Sequence, residues 1–87
     1  MPAESTTHSV TVRYFGGAAA AAGVEQETIA DCSTLAELLA HACADHPDLV
    51  PVLAASSVLV DGVASADPQT PVTRAETVDV LPPFAGG

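Results

Sequence analysis

Val10, Val12 and Tyr14 alternate with Ser9, Thr11 and Arg13, the period-2 pattern of a strand with one buried face. Gly16-Gly17 breaks that strand. The run Ala18–Ala22 then offers a turn and a half of helix, with Gly23 placed to end it. Val24–Ile29 reads as a second, more polar strand. The clearest helix signal follows at Thr34-Leu35-Ala36-Glu37, a capping box in which hydroxyl and carboxylate each take an orphan N–H. Leu35, Leu38, Leu39, Ala42, Cys43 and His46 recur at 3–4 spacing as one apolar stripe, and Pro47 stops the helix. Residues 48–55 fit either a short turn of helix or an irregular loop around Pro51. Val58-Leu59-Val60 is a brief strand, and Asp61-Gly62 signals a type I′ hairpin into Val63. After a Pro-rich loop at 67–71, Val72 is expected to plug the core, Arg74-Ala75-Glu76 turns, and Thr77–Leu81 alternates as the last strand. The order is β–(short α)–β–α–(loop)–β–β–β–tail, an α+β pattern with one main helix. Residues 1–8 read as a polar leader, 9–81 as one domain and 82–87 as a tail.

Composition narrows what such a domain does. Eighty-seven residues allow a single domain, burying roughly 60% of the open chain's surface: one small core and no deep cavity. The apolar fraction of 48% includes seventeen alanines, so the core is thin and built on Val and Leu. Two Arg, no Lys and eleven carboxylates give 2 − 11 = −9. That balance disfavours nucleic acid and anionic membrane surfaces as partners, and favours a basic protein. Without lysine there is no Schiff-base chemistry and no side-chain amine to accept an isopeptide bond. No segment approaches the ~18–20 apolar residues of a membrane span. The start Met1-Pro2-Ala3-Glu4-Ser5 lacks the basic and apolar regions of a signal peptide, and two cysteines are too few for a disulfide framework. A cytoplasmic protein is expected.

Catalytic constellations are thin. His8, His41 and His46 have no partners at recognisable metal spacing, and Cys32 and Cys43 lack the CxxC spacing of zinc or redox sites. His41 reads as a solvated helix residue, His46 as a helix C-terminal residue and Cys43 as a small core residue. No bound cofactor or metal is expected. Arg13 and Arg74, the only basic side chains, read as surface ion-pair partners.

The chain end carries more information. The last strand runs into Pro82-Pro83, then Phe84-Ala85, then Gly86-Gly87. Pro-Pro favours extended backbone and holds a tail off the body; six extended residues span about 20 Å. Two glycines remove every side chain near the α-carboxylate, so the end fits a channel that a Cβ would block. A carboxylate presented in this way is a handle for activation as an acyl-adenylate. Phe84 is the candidate anchor for a partner's pocket, with folding back onto the domain's own sheet as the alternative. The competing reading of the whole end is a frayed terminus on a non-covalent acidic interaction module.

These residues resemble a known family. The element order and the Gly-Gly end are similar to the ubiquitin-like β-grasp sulfur carriers of the MoaD/ThiS family. Val10-Thr11-Val12-Arg13-Tyr14-Phe15, the alanine-rich turn, the Thr34–Glu37 helix start, Val58-Leu59-Val60-Asp61-Gly62 and Val78–Gly87 most resemble MoaD, the small subunit of molybdopterin synthase. The likeness covers about residues 10–87, and Leu-Pro-Pro-Phe-Ala-Gly-Gly is its most specific part. It implies a mixed sheet of four to five strands on one main helix, with a flexible diglycine tail. It also implies a carrier that is not itself an enzyme. A MoeB-like adenylating partner, using ATP and Mg²⁺, would activate Gly87, and a persulfide protein would convert it to a thiocarboxylate. Pro82, Pro83, Phe84, Ala85 and Gly86 would thread the tail into a MoaE-like large subunit, where sulfur passes to cyclic pyranopterin monophosphate. The alternative within the family is a carrier for thiamine, cysteine or another thiolated metabolite.

Overall fold

The computed structural model describes residues 8–83. Strand β1, Ser9–Tyr14, buries Val10, Val12 and Tyr14 and leaves Ser9 and Arg13 outside, as its alternation requires. Helix α1, Gly17–Ala22, follows at once. Its buried Ala18 and Ala22 let it lie close to the sheet, because a methyl is all that separates backbone from backbone. Gly23 ends it at φ 79°, with its N–H donating to Ala19 O at 2.8 Å. This left-handed position is one that only glycine adopts freely. Strand β2, Gln26–Ala30, pairs antiparallel with β1, Val10 opposite Ile29 and Val12 opposite Glu27. It begins two residues later than the sequence suggests, since Val24 stays exposed in the preceding turn.

Helix α2, Leu35–Asp45, starts at the expected cap. Glu37 N–H donates to Thr34 Oγ1 at 3.2 Å, while the Glu37 carboxylate accepts from Ser33 N–H at 2.7 Å. The reciprocal bond thus reaches one residue beyond the usual capping-box donor. The buried stripe is Leu35, Leu38 and Ala42. Cys43 is only half-buried and stands outside the core cluster; the cysteine within it is Cys32, whose thiol donates to Ala30 O at 3.6 Å. Of the two readings for residues 48–55, helix prevails: α3 spans Leu49–Ala54. Pro51 is tolerated there because it sits in the first turn, where an N–H has no intrahelical partner.

Strands β3, Ser57–Val60, and β4, Val63–Ala64, are joined by Asp61 and Gly62 at φ 50° and 85°. Positive φ at both central residues is what a type I′ turn needs. Strand β5, Thr77–Leu81, completes a sheet of order β2-β1-β5-β3-β4. Its centre is the parallel pair β1–β5, Val12 opposite Val78 and Tyr14 opposite Val80. Parallel neighbours need a crossover, so the chain between them carries α2 over one face. Val10, Val12, Val78 and Val80 face Leu35, Leu38, Ala42 and Leu49, and Val72 plugs the layer with no exposure. This is the ubiquitin-like β-grasp arrangement.

His8, which the sequence places in the leader, is tied to the domain. Its Nε2–H donates to Ala75 O at 2.6 Å, and Asp31 N–H donates to His8 O at 3.2 Å.

Candidate functional site

The site is the place where β5 leaves the sheet. Three sets of bonds fix that strand. At its start, Asp61 Oδ1 accepts from Glu76 N–H at 2.9 Å and Thr77 N–H at 3.0 Å, clamping the hairpin turn onto β5. Those two donors hold the Asp61 carboxyl below its ordinary pKa, since they are worth more to the anion than to the acid. At mid-strand, Arg13 Nε–H and Nη2–H donate to the two oxygens of Asp79 at 2.6 and 2.8 Å. The paired carboxylate raises the Arg13 guanidinium further above its usual range. At the end, Phe15 N–H donates to Val80 O at 3.2 Å. Pro82 is then buried and Pro83 exposed. The four remaining candidates, Phe84, Ala85, Gly86 and Gly87, lie outside the described residues.

Strand register brings one row of side chains across the outer face of the sheet. Gln26 pairs with Arg13, Arg13 with Asp79, Asp79 with Leu59 and Leu59 with Ala64. Beside this row stand Thr28, Thr11 and Thr77 on one side, and Leu81 opposite Ser57 on the other. Phe15, 38% exposed, flanks it with the Arg13 guanidinium 6.0 Å from its ring centre. The only charges in these rows are Arg13 and Asp79, and they cancel. The exposed acids Glu25, Asp31, Glu37, Asp45, Asp48, Asp61, Asp67 and Glu76 all lie on loops, turns and helices, outside those rows.

A second polar cluster went unread in the sequence. Tyr14 OH donates to Glu27 Oε2, and His46 Nε2–H donates to the same carboxylate, 2.9 and 3.1 Å from its oxygens. The Tyr14 ring also meets the His46 ring edge-on, centroids 6.2 Å apart. Burial first, and then the bond to Glu27, pushes the Tyr14 phenol up, so it stays a donor at any physiological pH. The available signal was parity. Glu27 and Ile29 share a face of β2, so a buried Ile29 puts Glu27 on the helix side. The sequence-level view of His46 as a helix-end residue holds: it is the C-cap of α2, its N–H donating to Ala42 O at 2.9 Å. Its carboxylate partner is the addition.

Of the other candidates, His41 is exposed on α2. The Cys32 thiol is pushed up by burial and by nearby Glu37 and Asp31, and the Cys43 thiol by burial, so neither is a ready thiolate nucleophile. Arg13 is the surface ion pair anticipated, whereas Arg74 bridges to no carboxylate among the described residues. Among those residues no group of three or more His, Cys, Asp and Glu could hold a metal ion, and no helix is long and apolar enough to cross a membrane.

Comparison with solved structures finds the same fold repeatedly. The chain superposes on SAMP1 from Haloferax volcanii with a TM-score of 0.79 at 23% identity, covering 92% of this chain and 100% of that one. A putative molybdopterin converting factor subunit 1 from Pyrococcus furiosus gives 0.77 at 21% identity, covering 87% and 98%. The complex of subunits 1 and 2 of the molybdopterin-converting factor from Helicobacter pylori gives 0.70 at 25% identity, covering 92% and 100%. A comparison with curated protein sequences gives no match. The ThiS family model matches residues 12–87, from Val12 in β1 through Gly86-Gly87, and the chain belongs to that family.

Proposed function

We propose that the chain is a sulfur carrier serving molybdopterin synthesis, with Gly87 as the site of attachment. The observation that carries the proposal is the delivery of the tail. The central strand β5, clamped by Asp61, Arg13 and β1, runs without an intervening loop into Pro82-Pro83-Phe84-Ala85-Gly86-Gly87, and the family match extends to that last residue. The assembly of two converting-factor subunits in Helicobacter pylori supports a MoaE-like large subunit as the partner.

In this reading the carrier supplies a carboxylate and the partners supply catalysis. A MoeB-like enzyme joins the Gly87 carboxylate to the α-phosphorus of ATP with Mg²⁺, releasing pyrophosphate. The terminal sulfur of a persulfide protein then displaces AMP to give an acyl disulfide, and a thiol reductant cleaves its sulfur–sulfur bond, leaving the thiocarboxylate and a disulfide. Inside the large subunit the carrier's sulfur passes to cyclic pyranopterin monophosphate, and two carriers complete one dithiolene. Pro82 and Pro83 limit the conformations the tail has to lose on insertion, and the glycines keep its end narrow. The neutral outer face around Arg13, Asp79, Leu59 and Leu81 docks the body, and the exposed acids steer it to a basic rim. The compartment is the cytoplasm.

The test is reconstitution. The thiocarboxylate form is mixed with a molybdopterin synthase large subunit and the cyclic pterin, and dithiolene product is assayed. Product that disappears when Gly87 is deleted supports the reading. A thiocarboxylate that forms but thiolates no pterin moves the carrier to the thiamine or cysteine branch.

A further inference from the structure

A groove of about 550 Å³ lies between helix α2 and the β3–β4 edge of the sheet. Leu35, Ala36 and Leu39 of α2 form one wall, and Val58 of β3 with Ala64 of β4 forms the other. Ser56 and Ser57 line it as well. Nothing among the described residues covers it, although Leu39 is packed against the core only in part.

The geometry points to Phe84 of the same chain as its occupant, so that the carrier tail has a parked position on its own domain. Three observations lead there. First, the tail starts beside the groove: Leu81 pairs with Ser57, one strand spacing away, about 4.8 Å. Second, the last described residues stay against the domain, Val80 and Pro82 both being buried. Third, reach and chemistry match. Three extended residues from Leu81 span about 10 Å, enough to cross a strand. Phe84 is the one large apolar side chain beyond Leu81. The leader, at the other end of the chain, offers only Met1 and small or polar residues.

Parking competes with insertion into a partner, since Phe84 cannot fill both the groove and a partner's pocket. It holds the activated end against the domain until docking displaces it. The latch is a property of this chain whichever acceptor it serves.

The test is methyl and aromatic NMR on the isolated full-length chain, with no sulfur donor or partner present, so its outcome is independent of the pathway assignment. Cross-relaxation between the Phe84 ring and the Leu39 and Val58 methyls is expected in the wild type. It should vanish in Ala36→Glu, which places a charge on the exposed groove wall without touching the core. Phe84→Ala should shift the Leu35, Leu39 and Val58 methyls. Shifts confined to residues 81–83, with no ring–methyl contact, overturn the latch. So does a contact seen only between labelled and unlabelled chains in a mixed sample, which makes a second copy the occupant.

Discussion

Glu27 is the residue on which three elements converge. It sits on β2, takes a hydrogen bond from Tyr14 at the end of β1, and takes another from His46 at the end of α2. Replacing Glu27 by Ala leaves the hydroxyl of the buried Tyr14 with no acceptor, and such orphaned groups cost about 1–3 kcal/mol. For a domain of this size, thermal unfolding should shift down by roughly 5–20 °C, with Glu27→Gln retaining much of the lost stability. An unchanged midpoint for Glu27→Ala would mean that water serves Tyr14 as well as the carboxylate does. Asp61 makes a different kind of contribution, visible through pH. Its folded pKa lies below its unfolded value near 3.9. The stabilisation is therefore complete above the unfolded value and is lost as pH falls through the folded one. Acid unfolding should lose part of its slope below about pH 4 in Asp61→Asn, because the amide has no proton to gain there. Glu27 did not stand out in the sequence, and Asp61 stood out only as a turn residue. Glu27 and His46 are nineteen positions apart, and only the folded register closes that distance.

At the scale of elements, the signals that could be read were the local ones. The β1 alternation, the Thr34–Glu37 cap, the Asp61-Gly62 turn and the Gly23 stop each depend on neighbours within four residues, and each is where the sequence puts it. Strand order did not have a local signature. The parallel pairing of β1 with β5 joins Thr11 to Thr77, and nothing in either segment names the other. The same limit explains the cysteines: the helical period put Cys43 on the apolar stripe, but the sheet covers only Leu35, Leu38 and Ala42, and Cys32 enters the core from the loop before α2. Gly23 gives the sharpest element-level test. A Cβ there meets no atom within 4 Å, so any penalty comes from its φ of 79° alone. Gly23→Ala should cost about 1–2 kcal/mol, read as a drop in denaturant midpoint with an unchanged slope. A loss much larger than that would point to a packing role the backbone does not show.

The whole molecule separates charge from contact. Its formal charge is −9, and its outer sheet face contributes none of it because Arg13 and Asp79 cancel. Long-range attraction and short-range fit are thereby assigned to different residues. Association with a basic-rimmed partner should slow by tenfold or more, on the order seen for steered encounters, as salt rises and the Debye length shrinks. Dissociation should change little, since the contact itself is largely uncharged. Stopped-flow association against ionic strength checks this, and a salt-independent on-rate would remove the steering role. The central claim concerns the tail, and intact-mass spectrometry tests it most directly. The full chain is incubated with a MoeB-like adenylating enzyme, ATP, Mg²⁺, a persulfide donor and a thiol reductant, beside a chain lacking Gly87. The expected result is a mass gain equal to the exchange of one oxygen for one sulfur, confined to the C-terminal peptide and absent from the shortened chain. An unchanged mass for the full chain, under conditions that convert an established carrier, would contradict the account.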